Sequence, residues 1–263
     1  PEAGVDPDER QLRIRAHQVG HGRSDVGLEF GPRETHAVML RTFDHTGRVG
    51  NVHWPLFDLE IHTPRLTLRY LDDALAMQLV AVAARGVHDP ATMPFLHPWT
   101  DGPDVEREAL RFFWRSRADT TATDWRLLFA VMLDGVVIGA TDLFATGFPT
   151  LRQFETGSWL GIELQGRGYG RELRLGALTL GFDGLGAEFA TTGAWHDNAP
   201  SLGVTRSLGY TETGRRRALR RDEPDELIEF RMDRAHWSTI RRDDITVHGV
   251  DAARSFLGVA AQV

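Results

Sequence analysis

The segment Trp159-Leu160-Gly161-Ile162-Glu163-Leu164-Gln165-Gly166-Arg167-Gly168-Tyr169-Gly170-Arg171 constrains the fold more than any other part of the chain. A strand-like run (153–162) meets a turn dense in glycine (165–170), and the turn opens a helical pattern (171–185). Backbone N–H groups at such a helix start converge on one point, and the helix dipole adds positive potential there. Glycines let the main chain approach a phosphate closely. The segment is therefore a candidate phosphate cradle; the plain alternative is a glycine-rich strand–helix turn. Position 171 is arginine, so the pattern is not G-x-G-x-x-G and a dinucleotide fold is disfavoured.

The flanking pattern gives the fold class. Strands are expected at 65–70, 126–133, 136–144, 153–162 and 188–195, and as a closing hairpin at 210–219 and 227–232. Asp134-Gly135 marks a tight turn between the second and third of these. Helices are expected at 72–85, 104–116, 171–185 and 199–208, with Asp72-Asp73 placing acids in the first turn of the first. The order β-α-α-β-β-β-α-β-α-β-β is that of an α+β protein. Residues 1–60 read as an N-terminal extension, either a three-stranded meander (26–30, 37–43 and 48–54) or a poorly ordered segment. Residues 238–263 read as a tail packed on the main domain.

Composition removes whole classes of chemistry. The 263 residues include no cysteine, which excludes disulfides, a thiolate nucleophile and Cys-ligated metals. All 30 basic residues are arginine, so no Walker A lysine and no Schiff base can form. A net charge of −7 argues against general nucleic-acid binding. No apolar run reaches the roughly 18 residues of a membrane span, and the first residues lack a signal-peptide pattern. A cytoplasmic protein with no membrane and no metal partner is expected. His17 and His21 have a metal-compatible spacing, but neighbouring Gly20 and Gly22 make them scattered surface residues.

Thirty residues beyond the turn stand Asp197-Asn198-Ala199-Pro200-Ser201 and then Ser207-Leu208-Gly209-Tyr210. With these in place, Gln165-x-x-Gly168-x-Gly170 resembles the acyl-CoA signature of the GNAT acetyltransferase superfamily. Asn198-x-x-Ser201 followed by Leu208-Gly209-Tyr210 is similar to its RimJ/RimL-like branch, the ribosomal-protein N-acetyltransferase type. Thr63-Pro64-Arg65-Leu66-Thr67-Leu68-Arg69 resembles that branch's opening strand. Met93-Pro94-Phe95-Leu96 and Pro98-Trp99-Thr100-Asp101 resemble its loop after the first helix. The resemblance spans 61–237 and implies a GNAT fold: a mixed, mostly antiparallel sheet of about seven strands with helices on both faces.

It also implies an N-acyltransferase using acetyl-CoA, or another acyl-CoA such as succinyl-CoA. The acceptor would be a primary amine, on a protein N-terminus or a small molecule; a non-catalytic acyl-CoA-binding module is the reading from another class. A homodimer is among the arrangements open to it. The amides of Gly166, Arg167, Gly168, Tyr169, Gly170 and Arg171 would hold the pyrophosphate, preceded by Gln165. The backbone of Trp159, Leu160, Gly161 and Ile162 would pair with pantetheine, one N–H acting as an oxyanion donor. Asn198 would bond pantetheine, and Ser201 would sit near the sulfur or serve as a helix-start cap.

Acyl transfer to an amine needs a neutral nucleophile. Deprotonation at pH 7 costs roughly 4.6 kcal/mol for a lysine-like amine and about 1 kcal/mol for an α-amine. Glu155 is the leading candidate base, with a solvent-exposed or Arg152-paired glutamate as its plain alternative, and Asp142 is second. The position seven residues after Asn198, where related enzymes carry a tyrosine acid, is Thr205, so Ser201, Thr205 or water would serve the leaving thiolate. Phe95 and Trp99 are candidate acceptor-site residues, while Phe112, Phe113 and Trp114 read as core. Arg215-Arg216-Arg217 and Arg220-Arg221 read as a self-neutralised hairpin tip, with attraction of an acidic acceptor or acyl group as the sharper alternative.

Overall fold

A computed structural model describes residues 51–259, all within one compact unit. The elements in chain order are β1 (Glu60–His62), β2 (Leu66–Tyr70), α1 (Asp73–Ala84), α2 (Val105–Ala118), β3 (Trp125–Leu133), β4 (Val136–Ala145), α3 (Phe148–Leu151) and β5 (Gln153–Leu160). They continue with α4 (Tyr169–Thr179), β6 (Phe189–Trp195), α5 (Ala199–Ser207), β7 (Thr211–Arg220), β8 (Glu223–Asp233), α6 (Arg234–Ile240), β9 (Thr246–His248) and α7 (Val250–Phe256). The strands form one sheet in the order β7-β8-β6-β5-β4-β3-β2-β1-β9. The β5–β6 pair is parallel; every other neighbouring pair is antiparallel.

Local chemistry explains the boundaries. The Asp72 side chain accepts from Leu75 N at 2.7 Å and caps α1, and Asp104 does the same for α2 through Arg107 N at 3.2 Å. Asp134 and Gly135 both have positive φ, the backbone of a two-residue hairpin turn matched to sheet twist. Arg221 and Asp222 form a second turn of the same kind, between β7 and β8. Alternation along β3 builds two cores. Leu127, Phe129 and Val131 join the cluster containing Leu173, Leu175 and Leu178 of α4, while Leu128 and Ala130 join Leu75, Leu79 and Phe113 of α1 and α2. The sheet thus lies between α1 and α2 on one face and α4 on the other.

Several expectations change. Among the described residues the sheet has nine strands, because the three-residue β1 and β9 extend it beyond β2. In 48–54 the described part, 51–54, is no strand: the Asn51 side chain accepts from Trp54 N at 2.8 Å, Asp58 accepts from Asn51 N at 2.8 Å, and Pro55 starts a 3₁₀ turn. Local side-chain bonds there replace a ladder. The expected strands at 26–30 and 37–43, and His17 and His21, lie outside the described residues. Helix α4 begins at Tyr169, two residues earlier than expected, and passes at Leu180 into a π-helical turn. Strand β8 begins at Glu223, because the tight turn lets pairing run to the hairpin tip. Of the three aromatics of α2, Phe113 is core, whereas Phe112 and Trp114 are exposed.

Two placements matter for function. The β5–β6 register runs only from Gln153↔Phe189 to Glu155↔Thr191, although β5 continues to Leu160 against β4 and β6 to Trp195 against β8. The two strands therefore part after Glu155. On the other side of β5, Gly139 of β4 lets the strands approach closely: a Cβ there would lie 2.2 Å from Trp159 O and 2.8 Å from Leu160 Cα. Gly139→Ala is expected to destabilise the fold by about 1–3 kcal/mol, read as a lower urea midpoint at unchanged slope.

Candidate active site

The glycine-rich turn is built by short-range geometry. After β5, Gly161 N donates to Ile138 O at 2.9 Å, and the Gln165 side-chain amide donates to Leu160 O at 2.9 Å and Val87 O at 2.8 Å. Gln165 thus folds the chain back on itself. Gly166 (φ +74°) and Gly168 (φ +80°) then take left-handed conformations that strain other residues. A Cβ at Gly166 would meet nothing within 4 Å, so the space before the turn is open. Positions 165–168 are exposed. Among the described residues no hydrogen bond engages the N–H of Gly166, Arg167 or Gly168. Tyr169, Gly170 and Arg171 are the first residues of α4, where N–H groups have no intrahelical acceptor.

One carboxylate fixes the direction of this helix end. Glu172 accepts from Thr63 Oγ1 (2.6 Å), Arg65 N (2.8 Å) and Arg65 Nε (2.6 Å). Arg65 also donates to Arg167 O at 3.3 Å and lies 4.7 Å over the Tyr169 ring. Burial pushes the Glu172 carboxyl up, but the bonds from Thr63 and Arg65 outweigh it and hold the group below the usual glutamate range. A cleft of about 390 Å³ opens beside Gly168, bordered by Arg65, Arg171 and Arg242. Arg242 is paired with Asp244, whereas Arg171 has no ion pair among the described residues. Glu172 and Arg242 lack a signal of their own in the sequence, and Arg65, though part of the opening-strand motif, shows none for this contact, because the contacts join segments far apart.

Glu155 stands at the fork of β5 and β6, in register with Phe144 on one side and Thr191 on the other. Burial raises its pKa above the ordinary value, and the neighbouring Asp142 charge adds to this against the pull of Arg126 and Arg216. Asp142 is ion-paired with Arg126, whose guanidinium covers the Phe144 ring at 3.8 Å. A Cβ at Gly157 would lie 2.5 Å from Asp142 Oδ1, so that carboxylate is pressed against the β5 backbone. The arrangement leaves one carboxylate paired with an arginine and the other in surroundings that raise its pKa.

The loop after α1 crosses the mouth of the fork. Its Phe95 ring is 5.2 Å from Trp99, and Trp99 is 5.7 Å from Trp159 of β5. Phe95 O accepts from Trp195 Nε1 of β6 at 3.1 Å, and Pro94 O accepts from Asn198 Nδ2 at 3.4 Å. The expected solvated hairpin tip is instead a clamp on this loop: Arg220 donates to Met93 O and pairs with Asp197 and Asp225, and Arg221 forks onto Asp101 and donates to Pro90 O. Within the hairpin region Arg215 and Arg216 are neutralised by Glu212, Glu226 and Glu229, and Arg220 by Asp225. Asn198 is the N-cap of α5, its Oδ1 accepting from Ser201 N at 3.2 Å, so asparagine rather than serine caps this helix. Ser201 is half-buried at the start of α5, and Thr205 is fully buried. Among the described residues no group of three or more His, Asp or Glu could hold a metal ion, and no helix is long and apolar enough to cross a membrane.

Residues 65–211, more than half of the chain, match the family described as Acetyltransferase (GNAT) domain. Among solved structures, the chain is similar to a Mycobacterium smegmatis RimJ in complex with CoA-disulfide (14% identity, TM-score 0.57, covering 77% of this chain and 97% of that one). It is similar to a GCN5-related N-acetyltransferase from Brucella melitensis (18%, TM-score 0.56, 75% and 85%). RimL, a ribosomal L7/L12 alpha-N-protein acetyltransferase in complex with coenzyme A, matches at 14%, with a TM-score of 0.54 and coverage of 65% and 95%.

The clamp has a measurable consequence. Arg220→Met removes its charge-assisted bonds and is expected to cost about 1–3 kcal/mol. Hydrogen exchange should show the loss of protection concentrated in residues 88–101, with the α4 amides unchanged.

Proposed function

This chain belongs to the GNAT acetyltransferase family, whose fold uses acyl-CoA, and on that premise we propose that it moves an acetyl or other small acyl group from acyl-CoA to a primary amine by direct attack in a ternary complex. One observation carries the reading: β5, which parts from β6 after Glu155, runs into a turn whose amides at 166–168 are open and without partners among the described residues, and that turn opens α4. Acyl-CoA, when bound, supplies an activated acyl thioester. The N–H groups of Gly166, Arg167, Gly168, Tyr169, Gly170 and Arg171 grip its diphosphate, and Arg171 adds positive charge. The backbone of Trp159, Leu160, Gly161 and Ile162 lies along the pantetheine arm, with Asn198 and Ser201 across the gap. Residues 61–237 form the acyltransferase domain in this reading, with 238–259 packed on it.

Glu155 takes the proton from the acceptor amine. Its raised pKa suits that role, because a base tuned upward accepts a proton from an ammonium with less penalty. Asp142, paired with Arg126, keeps that pKa high by repulsion. Phe95 and Trp99 form the acceptor-side wall. Ser201 is the hydroxyl nearer the surface for the leaving thiolate, since Thr205 is fully buried. A free thiol has a pKa near 8.5, so the demand on that donor is small. The relatives' printed activities favour a protein N-terminus as acceptor, the case in which the base has the least to do.

Titration calorimetry with acetyl-CoA and succinyl-CoA is expected to show saturable binding that weakens with added salt; no binding of either ester overturns the proposal. Glu155→Gln is expected to lower kcat/KM for a lysine-like amine by about 10²–10⁴-fold at pH 7. A group whose pKa is raised by folding contributes stability at low pH that is lost as pH rises through that pKa. The same variant should therefore raise the melting temperature near neutral pH. Activity of the native protein rises as Glu155 deprotonates, and Asp142→Asn, by removing the like charge, should move that acid limb to lower pH.

A further inference from the structure

Four buried polar atoms without a well-aligned hydrogen bond belong to residues grouped beneath the fork: Thr156 Oγ1, Arg174 Nε, Thr205 Oγ1 and Tyr210 OH. Arg174 is only 4% exposed, on the inner side of α4. Its Nη1 donates to Thr192 Oγ1 at 3.3 Å, and the Thr192 hydroxyl donates to Thr156 O at 3.3 Å. The Tyr210 hydroxyl approaches the side chains of both Thr156 and Arg174 closely enough for weak hydrogen bonding, and its N–H donates to Thr205 O at 3.4 Å. Thr156 and Thr192 are each one residue past the last β5–β6 pair, Glu155↔Thr191. The group therefore sits where the strands part, on the face opposite Glu155.

Among the described residues no carboxylate balances the charge of this group. Arg174 forms no ion pair with an aspartate or glutamate among the described residues. A guanidinium cannot shed its proton. Tyr210 does not supply the counter-charge, because burial pushes its hydroxyl above the ordinary tyrosine value despite the opposing pull of Arg174 and Thr156. A buried cation without a partner is strongly disfavoured, and the remaining groups are hydroxyls and N–H donors. A set of donors around a fixed positive charge is the chemistry of anion recognition.

We infer that Arg174, Thr156, Thr192, Thr205 and Tyr210 form a binding site for a small monoanion, a halide ion or a carboxylate group. Two sources offer that chemistry. A free halide from solvent fills the site in the protein alone. Alternatively, on the acyl-CoA reading above, a dicarboxylic acyl chain such as succinyl brings its own carboxylate to the fork, and the site then selects the donor.

The test uses the full chain. Crystals soaked in sodium bromide are expected to show an anomalous peak bounded by Arg174, Thr156 and Tyr210, weakened in Tyr210→Phe and absent in Arg174→Met. In a separate arm, calorimetry compares succinyl-CoA with acetyl-CoA; an acyl-carboxylate site predicts at least tenfold tighter binding of succinyl-CoA, lost in Arg174→Met. Bromide without that preference identifies a halide site, and preference without bromide identifies the acyl carboxylate; either supports the inference. An ordered water at the bromide position together with equal affinity for the two esters overturns it. Both outcomes are read on the native protein, so a variant that fails to fold removes no test. Failure of both esters to bind refutes the acyl-CoA reading, while the bromide arm, which needs no CoA, then decides the inference alone.

Discussion

Backbone groups in the middle of a sheet need partners, and a strand that loses its neighbour presents N–H and C=O groups to whatever fills the gap. In this molecule β5 keeps β4 from Glu155 to Leu160 but holds β6 for only three registered pairs, from Gln153 to Glu155. The rest of the structure is arranged around that interruption. Close approach at Gly139 keeps β5 against β4, and β6 is held by β8 from Phe189 to Trp195. The opening is therefore stable because each of its walls belongs to a continuous sheet half. The turn at 165–168 then points the start of α4 at one end of the gap, and the Glu172 anchorage to Thr63 and Arg65 keeps it there.

The fork also separates charges by one step along a strand. Glu155 lies on the face of α1 and α2, next to Asp142, in surroundings that favour its protonated form. Thr156 and Thr192, the next residues along, face α4 and meet a guanidinium. Alternation of a β-strand is enough to place a carboxyl group and a cation on opposite sides of the same opening without either neutralising the other.

Much of this was legible in the sequence where the cause is local. Asp72, Asp104 and the Asp134-Gly135 turn announce their elements by short-range chemistry, and the glycines at 166 and 168 announce backbone angles other residues avoid. The family resemblance put the right strand beside the right turn. What escaped depends on distant segments. β9 is three residues long and exists because β1 offers an edge. Arg220 and Arg221 look like a solvated run until the fold brings Met93 and Asp101 to them. Phe112 and Trp114 follow a helical pattern, yet helix packing buries Phe113 alone. The setting of Arg174 is invisible in a pattern of apolar neighbours, since one arginine among leucines reads equally well as a surface residue.

The β7 flank carries a consequence for self-association. A ten-residue outer strand would ordinarily be a template on which another chain could extend the sheet. Here it bears Arg215, Arg216, Arg217 and Arg220, and three of these are engaged with acids on its own molecule. A second copy laid alongside would bring the same positive row against itself and disrupt bonds already made. Growth by strand addition at this border is thereby suppressed, and any assembly of identical subunits is directed to other surfaces.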